Sequence, residues 1–297
     1  MEVAVQLLKR NRRRLLCGAA ASMALRAMPV RAATGVLRFG TTPVILDDQL
    51  SLLSTWKQYL EARLGRPVHF VQRGSYREIL DLLLNGNVDV AWVCGYPYVV
   101  YERQLVLVAM PTYQGAPLYQ SYLIVPERDT VTRHITGLPG RVYAFSDPLS
   151  NSGHLVPRYQ LIEAGRQPTQ FFRRYFFTFA HRKVVEAVQV GLADGGSVDG
   201  YVWDTLAKQQ PSATAGVRIA WKSPRFGFPP VVARSSLPAE DREAVTLALL
   251  AMQESDAGVQ LLRGLNIDGF ERGSPSIFDG IRQMVQVSDR VAAGSRS

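Results

Sequence analysis

Ser150, Asn151 and Ser152, followed by Gly153, gather three hydrogen-bonding side chains and one residue without a Cβ between a strand predicted over 141–145 and a helix predicted over 155–164. The first turn of a helix leaves backbone N–H groups unpaired and carries a partial positive charge. Hydroxyl and amide donors placed there complete a cradle for an oxyanion, and no lysine or arginine is needed. An ordinary helix cap also selects Ser or Asn, but one cap needs one such residue. Here three stand together beside a glycine that lets backbone approach closely.

Other residues of the right chemistry fall at the starts of predicted helices. His181 follows an aromatic strand over 175–179 and precedes the apolar stripe Val184, Val185, Val188 and Leu192. Tyr76 lies in the first turn of a helix that Ser75 and Glu78 open with capping-box spacing. Its hydroxyl either meets a ligand or packs on the helix. Tyr96 and Tyr98, in Gly95-Tyr96-Pro97-Tyr98, follow a strand over 88–93; one is expected to line a cleft and the other to pack. Asp204 closes a strand predicted over 200–203, where it either caps a helix over 205–209 or serves a cationic group of a ligand.

These residues must be positioned by alternating strands and helices. Strands over 36–40, 68–71 and 88–93 enclose helices marked by Leu50, Leu53, Trp56, Leu60 and Leu64 and by Ile79, Leu80, Leu83 and Leu84. Such alternation predicts a parallel sheet covered by helices. The run 86–92, Gly-Asn-Val-Asp-Val-Ala-Trp, returns as Gly-Ser-Val-Asp-Gly-Tyr-Val-Trp over 196–203, which implies two similar α/β lobes, with Asp89 and Asp199 as structural turn residues. Runs at 119–125 and 229–233 are expected to cross between lobes, giving 33–118 plus 235–297 for the first lobe and 119–234 for the second. Helices are expected after Pro238, over 257–263 ending at Gly264, and around Ile277, Ile281 and Val285, with a frayed tail over 290–297.

Residues 1–32 read as an export signal, with Lys9, Arg10 and Arg12 to Arg14 before an apolar run over 15–25 and a small-residue cleavage site at Val30-Arg31-Ala32. The run is shorter than the ~20 residues that span a membrane. Arg12-Arg13 leaves the twin-arginine and general export routes both open, and Cys17 lacks the small residue expected before a lipidated cysteine. A periplasmic location is expected. Residues 1–32 carry seven of the 34 basic and one of the 25 acidic side chains, so their removal leaves a net charge of +3 and no electrostatic case for nucleic-acid binding. Cys94 is then the sole cysteine, read as a small core residue, so no intramolecular disulfide is possible. His69, His134, His154 and His181 show no paired-ligand spacing, and neither a metal nor a cofactor is expected.

The run Asp147-Pro148-Leu149-Ser150-Asn151-Ser152-Gly153-His154-Leu155-Val156-Pro157 resembles the D-P-x-S-x-S-G-x-L-V-P signature of solute-binding proteins from ABC importers of phosphonate, phosphite and related phosphorus oxyanions. Many relatives carry Thr where this chain has Asn151. Phe177, His181, Val184, Ala187, Val188 and Gly191 are similar to a second helix-start motif of that family, and the resemblance spans 36 to about 270. It implies a two-lobed type II periplasmic binding fold of the Venus-flytrap kind, with a mixed sheet flanked by helices in each lobe. It further implies a small oxyanion as ligand, an inner-membrane ABC permease as partner and a monomer. Tyr76, Ser150 to Ser152 and His181 become ligand-binding candidates, with Tyr96, Tyr98 and Asp204 as further ones. The motif gives His154 no such role, since relatives are often apolar there. The segment 226–230 lacks a carboxylate that aminophosphonate binders can supply. An alternative is a ligand sensor feeding a membrane receptor or kinase. An enzyme with Ser152 as nucleophile and His181 or His154 as base is disfavoured, because no G-x-S-x-G elbow surrounds Ser152.

Overall fold

The computed structural model describes residues 35–42 and 50–294. The segment 1–32 expected to be an export signal, with Cys17, and the last three residues of the tail lie outside the described residues. Among the described residues no helix is long and apolar enough to cross a membrane.

Two sheets carry the fold. The first is built from β1 (Leu37–Thr41), β2 (Val68–Gln72), β3 (Val90–Trp92) and β4 (Leu105–Thr112). The chain then leaves through β5 (Leu118–Tyr119) and enters the second sheet as β6 (Ser121–Pro126), followed by β7 (Val142–Phe145), β8 (Arg174–Phe177), β9 (Gly195–Asp199) and β10 (Val217–Lys222). It returns through β11 (Phe226–Gly227) and completes the first sheet with β12 (Val231–Arg234) and β13 (Gly269–Glu271). The strand orders are β13-β4-β12-β3-β1-β2 and β10-β6-β9-β7-β8. The first sheet takes the chain back at Val231 rather than after Arg234, because β12 pairs antiparallel with both β3 and β4. The outgoing and returning segments pair with each other as an antiparallel ribbon, Phe226 opposite Tyr119 and Gly227 opposite Leu118.

Each lobe contains one parallel unit built the same way. In the first, β2-β1-β3 are parallel, and the helix Tyr76–Leu84 runs from β2 to β3. In the second, β8-β7-β9 are parallel, and the helix His181–Gln189 runs from β8 to β9. Both helices bury residues at spacing i, i+3, i+4, i+7, namely Tyr76, Ile79, Leu80 and Leu83, and His181, Val184, Val185 and Val188. This is the apolar stripe that a helix packed on a sheet requires. Tyr76 and His181 are each its first member, 105 residues apart.

That separation recurs. Gly86 and Gly191 end the two helices in the left-handed region, at φ 74° and 77°. Asp89 precedes β3 and accepts the N–H of Arg38 over 2.9 Å, and Asp194 precedes β9 and accepts the N–H of Val142 over 2.9 Å. The partner of Asp89 in the internal repeat is therefore Asp194, five residues before Asp199.

This shift corrects the element boundaries expected after Asp194. Residues 200–203 are helical, and the strand is β9. The reason is local: Gly196 fits where a Cβ would stand 2.5 Å from Val184 and 2.8 Å from the Ala144 carbonyl, so Gly195 and Gly196 form the closely packed strand. Asp199 then caps the helix Gly200–Gln209 by accepting the N–H groups of Tyr201 and Val202. Two other boundaries move outward. The helix Asp256–Leu265 passes through Gly264, which packs on Leu52, and ends on Asn266 in the left-handed region at φ 53°. The last helix, Asp279–Gly294, continues into the segment expected to fray.

Candidate functional site

Ser150, Asn151 and Ser152 follow β7, and the chain enters its helix through a π-type turn, Asn151–Leu155, before the regular helix Val156–Glu163. The wider turn is closed by the Leu155 N–H on the Ser150 carbonyl over 3.0 Å. Such π turns recur at functional sites. Ser150 caps the turn by accepting the Gly153 N–H over 3.0 Å. Gly153 admits no side chain, because a Cβ there would lie 1.8 Å from Ser146 Oγ and 3.1 Å from the His181 ring.

Residues of both lobes meet on this turn. The Tyr76 hydroxyl lies 3.2 Å from His181 Nε2, and Ser150 Oγ lies 3.5 Å from the same nitrogen. The Tyr76 N–H donates to Asp147 across the lobes over 3.1 Å, and the Asn151 N–H donates to Cys94 Sγ over 3.2 Å. Asn151 Nδ2 donates to the hydroxyl of Tyr119, the residue on the outgoing crossing strand, over 2.9 Å. Ser150, Asn151 and Ser152 are fully buried, as are Tyr76 and His181. The lobes are closed on one another.

The protonation of His181 follows from its partners. Its Nδ1 accepts the backbone N–H of Asp199 over 3.0 Å, so the neutral ring carries its proton on Nε2, aimed at Tyr76 and Ser150. Adding a second proton would set Nδ1–H against the Asp199 N–H. Burial opposes it too, lowering the histidine to about 3. The geometry thus makes His181 a neutral donor. Burial raises Tyr76 well above the usual phenol range, with Cys94, Asp147 and Asp199 adding to the effect, so it too is a neutral donor.

Several polar atoms in this enclosure lack partners. Ser152 Oγ, Asn151 Oδ1 and Ser146 Oγ are buried and bonded to nothing, although buried polar groups are nearly always paired. Turning the Asn151 amide by 180° keeps the Tyr119 contact, with the phenol donating, and presents the NH₂ group instead. The Tyr76, Ser150 and Ser152 hydroxyls, the Asn151 amide and the His181 Nε2–H thus form a set of uncharged donors. No Lys or Arg side chain hydrogen-bonds to any of these five residues among the described residues.

Not every candidate joins this group. Tyr98 is buried against the Phe278 ring, with centroids 4.8 Å apart. Tyr96 is half-buried, its hydroxyl subject to Arg158 and Asp289. His154 bonds the Pro148 carbonyl through Nδ1 and packs edge-on against Phe145 and Phe177. Asp204 lies inside the helix Gly200–Gln209 and does not cap it; its carboxylate accepts the Tyr113 hydroxyl over 2.7 Å and the Tyr122 hydroxyl over 3.2 Å.

Four residues of the enclosure had no ligand role in the sequence reading: Asp147, Cys94, Tyr119 and Asp199. Asp147 and Cys94 each take an N–H from the opposite lobe. Asp147 stood inside the signature, and the other three sit at strand ends, where a sheet of this kind faces its cleft.

Residues 39–278 match the family described as ABC transporter, phosphonate, periplasmic substrate-binding protein. Among curated proteins, the phosphate-import protein PhnD of Mycolicibacterium smegmatis is 28% identical over 213 residues, covering 68% of this chain. The match spans 65% of that relative's length. Among solved structures, a binding protein component of an ABC phosphonate transporter from Pseudomonas aeruginosa superposes with a TM-score of 0.79 at 22% identity, covering 87% of this chain and 88% of that one. PhnD1 from Prochlorococcus marinus, solved with methylphosphonate, gives 0.76 at 19% identity over 86% and 98%. These likenesses establish the type II, two-lobed periplasmic binding fold.

Proposed function

This chain belongs to the family of ABC-transporter phosphonate periplasmic substrate-binding proteins, and we propose that it captures a tetrahedral phosphorus oxyanion between its lobes and delivers it to an ABC permease. The observation that carries this reading is the meeting of Tyr76 from one lobe with His181 and Ser150 from the other, beside the unpartnered Ser152 hydroxyl. Uncharged donors fixed in a water-poor enclosure hold an anion strongly, because hydrogen bonds to a charged group count for more where the dielectric is low. A ligand touching both lobes binds the closed form better than the open one and shifts the population towards it.

Binding rather than catalysis is supported by the same geometry. A serine nucleophile needs a base to take its proton. His181 already holds a proton on the nitrogen that faces the serines, and its other nitrogen is occupied by the Asp199 N–H. Phosphonate, phosphite, methylphosphonate and phosphate all fit this donor set. The export signal over 1–32, a monomeric state and a lobe division in which the chain returns to the first lobe at Val231 belong to the same proposal.

Calorimetry or native mass spectrometry with methylphosphonate, phosphite and phosphate, with sulfate and nitrate as controls, tests the reading. Binding of a phosphorus anion is expected. Failure of all three to bind at millimolar concentration overturns it.

A further inference from the structure

The helix Asp256–Leu265 of the first lobe is finished by the second lobe. An α-helix leaves its last four carbonyls without partners of its own. Here the following residues of the chain take two of them: the Asn266 N–H reaches the Leu262 and Arg263 carbonyls, and the Ile267 N–H reaches Leu262 over 3.1 Å. The Gly264 and Leu265 carbonyls go instead to the helix Gly200–Gln209, Gly264 accepting Gln209 Nε2 over 3.3 Å and Leu265 accepting the Tyr201 hydroxyl. The Asn266 side chain completes the junction, donating to Thr205 Oγ1 over 2.9 Å and accepting Lys208 Nζ over 2.8 Å. Tyr201, Thr205, Lys208 and Gln209 follow the spacing i, i+4, i+7, i+8, which is one face of a helix. Lys208 also sets a positive charge at the helix end where the carbonyls carry a partial negative one. Tyr201, Thr205 and Leu265 are buried.

None of these four bonds includes Tyr76, Ser150, Asn151, Ser152 or His181. The junction is nonetheless tied to the donor set, because Asp199 caps the start of the same helix while its own N–H holds His181 Nδ1. One helix thus meets the first lobe along its flank and anchors the histidine at its first turn. We propose that the face Tyr201, Thr205, Lys208 and Gln209 is a clasp that caps the first lobe's helix from the opposite lobe and keeps part of the ligand-free protein closed. Parting the lobes uncaps the helix and exchanges the four bonds for bonds to water. Each such bond is worth roughly 2- to 10-fold in the closing equilibrium. The clasp therefore sets the fraction of protein already shaped for a ligand, and apparent affinity scales with that fraction. It does so by the same factor for every anion the cleft accepts, changing affinity without changing selectivity. The clasp itself is independent of what the cleft holds; its effect on affinity rests on the oxyanion reading above.

Two variants test it. Tyr201→Phe removes one hydroxyl and keeps the ring that packs edge-on against Tyr113 and Phe228. Asn266→Gly removes both side-chain bonds at a residue whose left-handed backbone, φ 53°, glycine adopts freely. Residual dipolar couplings from the amides of both lobes read the closed fraction of the ligand-free protein, and calorimetry with methylphosphonate and phosphite reads affinity. The wild type is expected to be at least partly closed without ligand. Its open-to-closed ratio is expected to rise roughly 2- to 10-fold in Y201F and further in the Y201F/N266G double variant. Affinity for both anions is expected to fall by the factor by which the closed fraction falls. A wholly open ligand-free wild type, or variants that keep the wild-type ratio, overturns the clasp. So does a loss of affinity that differs between the two anions, which would set these residues against the ligand instead. Failure of both anions to bind the wild type removes the oxyanion reading, and the couplings then decide the clasp alone. Where N266G fails to fold, Y201F carries the comparison.

Discussion

Tyr76 and His181 are the same position of the same helix in two lobes, and their side chains meet 3.2 Å apart across the cleft. Each opens a buried stripe of spacing i, i+3, i+4, i+7, so the packing that fixes each helix on its sheet also aims its first residue at the opposite lobe.

His181 is expected to stay neutral with its proton on Nε2. Imidazole nitrogen NMR should show that tautomer and no titration between about pH 5 and about pH 8, since burial lowers the group to about 3. His181→Ala should weaken oxyanion binding by roughly 10- to 100-fold, the worth of one hydrogen bond to a charged group. A histidine that titrates near its ordinary value would contradict the arrangement.

Ser152→Ala should separate stability from affinity. The hydroxyl is buried and unpartnered in the ligand-free protein, so its removal is expected to leave the melting temperature unchanged or raise it, a gain of at most ~1 kcal/mol. Oxyanion affinity is expected to drop about tenfold or more. Thermal melts with and without ligand check both signs.

Gly153→Ala should abolish binding and destabilise the fold by roughly 1–3 kcal/mol. The new Cβ would stand 1.8 Å from Ser146 Oγ and 2.6 Å from Ser146 Cβ, and so displaces the backbone beneath the cradle. Denaturant unfolding and calorimetry measure the two effects. Full binding by this variant would mean that the turn adapts freely.

The stability of the ligand-free protein should fall as pH rises from about 6.5 to about 8. Asp199 is raised from 3.8 to about 8, so the folded chain keeps a proton that the unfolded chain has released, and the stability this gives is lost as pH rises towards 8. His181, lowered from 6.5 to about 3, contributes the opposite slope, lost as pH falls below 6.5. Between about 4 and 6.5 the two oppose each other; above 6.5 only Asp199 acts, at most about 1.4 kcal/mol per pH unit. Melting temperatures that decline over this window in the wild type and stay level in Asp199→Asn are the expected result.

Tyr113→Phe should weaken binding without touching the anion. Its hydroxyl reaches from the first lobe to Asp204 in the second, and its loss makes the closed form less populated. A loss of affinity of roughly 3- to 10-fold, the net worth of a hydrogen bond, with a larger ligand-free radius in small-angle scattering, is expected.

The alternation of strands and helices was readable because its apolar stripes follow the periods of helix and strand, and the Ser150–Gly153 run was readable because three donors in a row exceed what a cap requires. The internal repeat was readable as well, but in the wrong register. Matching Asp199 to Asp89 rested on flanking glycine and tryptophan, whereas the physical constraint is an aspartate that closes a neighbouring strand's N–H, which Asp194 does. That slip turned the first turn of the helix Gly200–Gln209 into a strand and placed Asp204 at its cap. The contacts of Asp147, Cys94 and Tyr119 depend on how two lobes close, a relation that no local pattern encodes.

Tyr119 belongs to the ribbon through which the chain passes between the two sheets and also anchors the Asn151 amide. On the oxyanion reading proposed above, with this ribbon as the axle of closure, the guest is seated close to the axle, not out at the rim. Over a short radius a given rotation moves the donors little, while the far edges of both lobes sweep a long arc. A displacement of an ångström at the anion becomes a large change in the outline that a membrane partner can feel, so occupancy is broadcast by leverage.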